Sequence, residues 1–295
     1  MPTNTTNRNR QPKGTSKGGQ FAPETHTVAP HDLDTTSSDT PPSIVDHYPN
    51  GTIESEQWRN EDGQLDRADG PACIYYYEDG KVMTEEWWQD GKCHRDNEPV
   101  CTVYDKNGTI VSEEWCQHGQ LHRTDGPAHT SYRKDGTIEY ESWFQHGQLH
   151  REDGPARIEY REDGSIEQEA WYKNGQLHRL DGPAKIVYDE NGQTKIEQWR
   201  RCDLAHRTDG PASIYYDKKG TVRIEEWAQC GQRHCENGPA ITERQEDGTI
   251  EREEYWQNGK KHRIGGSAYI AYNPDGTIER EEYWENGEQI TPPTN

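Results

Sequence analysis

Of the 295 residues only two are Phe and two are Met, and apolar residues make up just 28% of the chain. Charged residues match them at 29%, a balance that often marks a chain unable to bury enough surface to fold. Ten Trp and sixteen Tyr argue otherwise, because each buried aromatic removes about 150–250 Å² from water. No apolar run approaches the ~20 residues of a membrane span. The first residues are polar and lack the apolar core of an export signal. Basic residues are scarce: 33 Lys and Arg face 54 Asp and Glu, a formal charge of −21. Such a surface repels phosphate backbones and anionic lipid, so neither nucleic acid nor a membrane is an expected partner. The seven cysteines are odd in number and no pair has CxxC spacing, so reduced thiols and a cytoplasmic location are expected. HExxH, GxSxG, P-loop and dinucleotide-binding patterns are all missing. Neither an enzyme nor a cofactor is implied.

What is present is a tail and a repeat. Residues 1–46 are rich in Asn, Thr, Ser, Pro, Gly and Gln without apolar periodicity, the composition of a disordered segment. From there to about residue 290 the chain keeps a 28-residue period, and residues 291–295 form a short C-terminal tail. Trp58, Trp87, Trp115, Trp143, Trp171, Trp199 and Trp227 step by 29 and then by 28, and Tyr255 and Tyr283 continue the row. Gly80 to Gly276 holds the same step, as do the histidines from His94 to His262 and the tyrosines from Tyr76 to Tyr272, with Arg244 as the one break. A fixed period of this length is the signature of a repeat architecture.

Each unit reads as two strands. In "ARIEYREDGSIEQEAWYKNG" (156–175), Ala156, Ile158 and Tyr160 alternate with charged residues, the period of a half-buried strand. Asp163-Gly164 supplies a hairpin turn, and Asp-Gly or Asn-Gly recurs there in seven of eight units. The second strand is predicted from Ile166 to Trp171, after which Asn174-Gly175 turns the chain again. Ile166 and Trp171 are five apart, so a regular strand would put them on opposite faces. Either a bulge intervenes or both faces carry aromatic rows. Nine Trp strands and eight Tyr strands predict an all-β, elongated, solenoid-like antiparallel sheet of about eight and a half hairpins. At ~4.8 Å per strand its length is roughly 80 Å.

The phrase His-Arg-x-Asp-Gly-Pro-Ala connects one unit to the next. Asp caps a turn, Gly relieves the backbone, and Pro leaves no unpaired N–H. Arg and Asp are expected to pair within a loop or between loops. The candidate partner-binding surface is this loop ladder: His94, His122, Arg123, Asp125, His150, Arg151, Asp153, His178, Arg179, Asp181, His206, Arg207, Asp209, His234 and His262. With two strands per unit, successive histidines lie about 10 Å apart, too far to share a zinc ion that holds each ligand at about 2 Å. No metal is assigned. The glutamates beside the Trp row (Glu113-Glu114, Glu225-Glu226, Glu253-Glu254, Glu281-Glu282) are expected to form a solvated strand face, or else a strip for a basic protein.

These residues carry a resemblance. Tandem Tyr/Trp…Asn-Gly hairpins resemble MORN-type repeats, and "NGQLHRxDGPA" (174–184) is similar to a variant in phage, giant-virus and bacterial proteins. The likeness covers about 240 residues; the ordinary MORN unit is shorter, richer in Gly and lacks the His-Arg-x-Asp-Gly-Pro loop. It implies an elongated twisted sheet, scaffolding, self-association and sometimes lipid contact, the last opposed by the charge. It brings no catalytic residues. The stretch "NRNRQPKGTSKGGQFAP" (7–23) resembles N-terminal tails of actinobacterial and actinophage proteins. Together these features lead to the expectation of a non-enzymatic protein-binding or scaffolding chain. The alternatives are a ligand- or metal-binding array built on the loops, and an acidic decoy of a nucleic-acid-binding protein.

Overall fold

The computed structural model describes residues 40–292. No helix occurs among them. The sequence resolves into nine long hairpins whose strands pair side by side in one antiparallel sheet, not closed into a barrel. In the central unit, Arg157–Tyr160 pairs with Ile166–Ala170, and Ile166–Ala170 then pairs with Lys185–Tyr188 of the next unit. The strand Glu288–Ile290, counted in the nineteen-stranded sheet, pairs with the second half of Ile278–Glu285.

Three details differ from the sequence reading. The first strand is Ile44–His47, paired with Ile53–Gln57, so the array starts inside the stretch 1–46 assigned to the tail; the rest of that assignment, 1–39, lies outside the described residues. This strand also makes nine first strands where eight were counted from the Tyr row, because His47 stands where the tyrosine would be. Finally, the second strand of the unit stops at Ala170. The chain leaves the sheet at Trp171 and builds a separate short hairpin, Tyr172–Lys173 with Gln176–Leu177. Its two-residue turn, Asn174-Gly175, has φ of 50° and 77°, the doubly left-handed geometry that suits Asn-Gly.

The spacing of Ile166 and Trp171 is settled by a bulge. Glu159 faces Gln168 while Tyr160 faces Ile166, so Glu167 is the extra residue, and the same shift recurs in every long hairpin. Residues opposite each other share a face, which puts Ile158, Tyr160, Ile166 and Glu169 together. The long turns end on a left-handed glycine, φ 78° at Gly164, and each is capped by one side-chain oxygen, Asn50 Oδ1 in the first turn and a carboxylate in the others. Asp163 accepts the Ser165 N–H. Where Asn107, Asn191 or Lys219 takes the place of Asp163, the cap moves to the first turn position, to Asp105, Asp189 or Asp217.

The core is a line. Ala72, Ala128, Ala156, Ala184, Ala212, Ala240 and Ala268 are fully buried, with Val100 in the remaining place. Each is the node between connector and sheet: Ala156 N–H donates to Ala170 O (2.9 Å), and Ala156 O accepts the Trp143 N–H (2.7 Å). A side chain larger than Val has no room where two backbones converge this closely.

Candidate functional site

The connector loops hold themselves to the aromatic row. Arg67, Arg95, Arg123, Arg151, Arg179 and Arg207 lie over Trp58, Trp87, Trp115, Trp143, Trp171 and Trp199 at 3.8–4.1 Å from the ring centroid, and Arg263 lies over Tyr255 at 3.8 Å. The guanidinium edge is used as well. Arg151 Nε donates to Asp153 (3.0 Å) and Nη1 to Pro155 O (3.3 Å). Arg123, Arg179 and Arg207 repeat both bonds, with Asp125, Asp181 and Asp209 as acceptors. The pairing is therefore within each loop. The glycine of Asp-Gly-Pro serves space rather than φ: a Cβ on Gly182 would stand 2.8 Å from Arg179 Cζ.

The histidines join one unit to the next. His122 Nδ1 accepts the His146 N–H (3.2 Å), His150 the Asn174 N–H (3.2 Å), His178 the Cys202 N–H (3.3 Å), His206 the Cys230 N–H (3.1 Å), His234 the Asn258 N–H (3.2 Å) and His262 the Asn286 N–H (3.0 Å). In every case the donor is the first, left-handed residue of the next short hairpin's turn. In the first unit Asp66 stands in the histidine's place and accepts the Asp90 N–H (3.0 Å). Two further backbone bonds accompany this lock, typified by Arg151 N to Tyr172 O (3.3 Å) and Gly175 N to Leu149 O (2.9 Å). The short hairpins thus form a second ladder beside the sheet.

The tyrosine row is tied down in the same way. Tyr104, Tyr132, Tyr160, Tyr188, Tyr216 and Tyr272 donate to Glu85, Glu113, Glu141, Glu169, Glu197 and Glu253 of the preceding unit at 2.7–3.0 Å. Burial, then the carboxylate beside it, pushes the Tyr160 hydroxyl's pKa far up. For Tyr216, burial and the Glu197 hydrogen bond raise it to about 12. Arg244, the break in the row, meets the same glutamate position by an ion pair to Glu225 (2.8 Å). Of the glutamates expected to form a solvated face, Glu113, Glu225 and Glu253 are therefore half-buried acceptors, whereas Glu281 in the last unit is exposed. As second members of their pairs, Glu254 and Glu282 accept from the indoles of Trp256 and Trp284 (2.9 Å each).

Of the fifteen ladder residues, the arginines and the histidine Nδ1 atoms from His122 onward are thus engaged inside the array; His94 sits beside His118 with ring centroids 6.5 Å apart. What remains outward is narrower. The Asp125, Asp153, Asp181 and Asp209 side chains are 78–85% exposed. The residue after the arginine position changes from one loop to the next, running Thr124, Glu152, Leu180, Thr208, Glu236 and Ile264. Leu180 and Ile264 are 70% and 80% exposed. Among the described residues, no group of three His, Cys, Asp or Glu side chains is arranged to hold a metal ion. The sequence pattern flagged the constant residues; the variable position between them gave no periodic signal and could be found only by its exposure.

Fold and site define an all-β tandem-hairpin repeat protein. No family model matches the chain and no curated protein matches it. The solved structures it resembles are remote. Alternansucrase in complex with isomaltononaose is 14% identical with a TM-score of 0.17, over 79% of this chain and 16% of that one. The Photorhabdus luminescens Tc holotoxin pore bearing the TccC3-D651A mutation is 13% identical with a TM-score of 0.16, over 81% and 14%. This chain spans about a sixth of the length of those proteins, and likenesses this slight bear on nothing further.

Proposed function

We propose that the protein is a non-enzymatic, MORN-like binding scaffold that presents its connector loops to a protein partner. One observation carries this reading: the periodic side chains hold unit to unit, while the exposed position between Arg and Asp changes from loop to loop. A constant frame with variable crest positions is how repeat proteins build extended binding surfaces, and several weak contacts on one rigid array sum by avidity. Leu180 beside the outward Asp181, and the isolated Ile264, suit a partner with basic and apolar groups at matching intervals. The test is affinity purification of the full tagged chain from a host related to its source, beside a variant with Glu152→Arg, Leu180→Asp and Thr208→Arg. These changes leave the Arg–Trp stacks and histidine bonds intact. A protein retained by the parent and lost from the equally stable variant supports the reading. A partner retained by both removes the loops from the interface, and turnover of a substrate removes the non-enzymatic assignment.

A second reading has its own observation. Cys202 Sγ lies 3.5 Å from His178 Nδ1, and Cys230 Sγ lies 3.6 Å from His206 Nδ1. Two zinc bonds of about 2.3 and 2.0 Å meeting at a tetrahedral angle span about that separation. Each pair offers two donors, so a metal-binding array needs its remaining ligands from solvent or another molecule. Elemental analysis of the purified chain, with Cys202→Ser and Cys230→Ser variants, separates the readings: bound zinc that falls with each substitution favours the metal array.

A further inference from the structure

Consecutive short hairpins meet at eight junctions, and seven carry the same three bonds: the connector's N–H to the next hairpin's first strand, a turn N–H to the Leu-position carbonyl, and a turn N–H to the His-position acceptor. Between Trp88–Cys93 and Cys116–Leu121 none of the three is formed among the described residues. Arg95 N–H does not reach Cys116 O, Gly119 N–H does not reach Cys93 O, and His118 N–H does not reach His94 Nδ1.

This junction is also where two thiols meet. Cys93 holds the place that is Leu121, Leu149 or Leu177 elsewhere, and Cys116 the place of Phe144 or Tyr172. At two other junctions these positions are seen to face each other. At the equivalent places Arg233 lies over Trp256 (5.3 Å) and Lys261 over Trp284 (5.7 Å). Each of the two thiols is the first influence on the other's acidity. Cys93 is partly exposed, Cys116 is buried, and both are free.

We propose that Cys93 and Cys116 form a reversible disulfide that links the two short hairpins at the junction lacking the three bonds. The oxidant is a low-molecular-weight disulfide. The Cys93 thiolate attacks one of its sulfurs, the S–S bond breaks, and the other half leaves as a thiolate. Cys116, losing its proton to solvent, then attacks the Cys93 sulfur of the mixed disulfide and expels the second half. Two protein thiols become one disulfide and one small disulfide becomes two thiols, so atoms and electrons balance. Two features order the roles. The neighbouring Cys116 thiol lowers the Cys93 pKa to about 7, and Cys93 is the partly exposed thiol, whereas Cys116 is buried and its pKa is raised. Cys101, the third thiol nearby, is raised to about 12, chiefly by burial with Glu114 and Glu86 adding to it, and takes no part. A thiolate of this kind is the one that exchanges readily. The bond requires Cβ atoms about 3.8 Å apart, and the two hairpins already approach as closely as their neighbours do, a Cβ on Gly119 standing 3.8 Å from Lys92 Cβ and one on Gly147 3.8 Å from Gln120 Cβ.

The test uses the full chain with Cys202→Ser, Cys230→Ser and Cys235→Ser, treated with oxidised glutathione. The expected product loses two hydrogens in mass and yields a Cys93–Cys116 cross-linked peptide. Cys93→Ser abolishes it, and Cys116→Ser accumulates a glutathione adduct on Cys93. Oxidation is expected to slow amide exchange at Arg95, His118 and Gly119 by about tenfold or more, as local opening is suppressed. A stable adduct on Cys93 with Cys116 present, a link through Cys101, or no reaction with circular dichroism unchanged would each overturn the proposal.

Discussion

A histidine accepts at Nδ1 only in the neutral form with its proton on Nε2, so each link of the histidine row is broken by protonation. Burial, with smaller contributions from His146 and His118, lowers the His122 pKa below its ordinary value, and burial does the same for His129. The unfolded chain therefore takes up these protons first. Their contribution is complete above the unfolded pKa of about 6.5 and is lost as pH falls through the lower folded values. The melting temperature should be level between pH 7 and 8 and fall between about 6.5 and 5. A second fall should follow below about pH 4, where the turn caps Asp105, Asp163 and Asp217, held low by their hydrogen bonds, are protonated. His178→Ala should cost about 1 kcal/mol at pH 7.5, and His178→Asp should recover most of it, as Asp66 does in the first unit. Equal losses from both would leave the bond without energetic weight. The glycine of the loop gives a second residue-scale contrast. Gly182→Ala should cost about 1–2 kcal/mol by pushing Arg179 off Trp171. Gly238→Ala should cost less, because Cys235 stands in the arginine's place and its Sγ would lie 3.9 Å from the new Cβ.

At the scale of the element, the long hairpins were legible because two-residue alternation and Asp-Gly turns are local signals. The short hairpins were not, since two paired residues such as Tyr172 and Lys173 carry no period. Nor does any local pattern reveal that His150 reaches a backbone amide 24 positions on, or that Arg151 covers Trp143. The bulge at Glu167 was implied by five-residue spacing but not decided by it. The seventh unit shows how an element is held as a set. It lacks the loop arginine (Cys235) and the loop aspartate (Asn237) together, and the cation reappears as Arg244 in the tyrosine row, on Glu225. One guanidinium atom there, Nη1, is buried without a hydrogen-bond partner. Cys235→Arg alone adds a second cation to a unit that already carries Arg244 on Glu225, whereas Cys235→Arg with Arg244→Tyr restores the common arrangement. Urea denaturation of both singles and the double should give a coupling of about 1 kcal/mol favouring the double. Additivity would show that the two sites are independent.

For the whole molecule, stability should approximate a sum of units and junctions, since each unit bonds only to its neighbours. Excising residues 157–184 joins Ala156 to Lys185 in the same register that Ala184 gives it. The shortened chain should fold, with a far-ultraviolet spectrum unchanged per residue and an unfolding slope reduced in proportion to the surface removed. Failure to fold would mean that some longer-range contact organises the array.

The sheet's direction of growth lies across its strands, so a pull on the two ends would load the hydrogen bonds one row at a time, as in a zipper, instead of shearing many together. Stretched in an optical trap, the chain should yield at low force in a train of near-equal steps. Each step should release about 85 Å, the difference between a 28-residue segment drawn out at about 3.4 Å per residue and the ~10 Å it occupied when paired. Oxidation at Cys93 and Cys116 should delete part of one step and leave the rest. A molecule built this way behaves less like a rod than like an extensible tether whose slack is metered in fixed lengths.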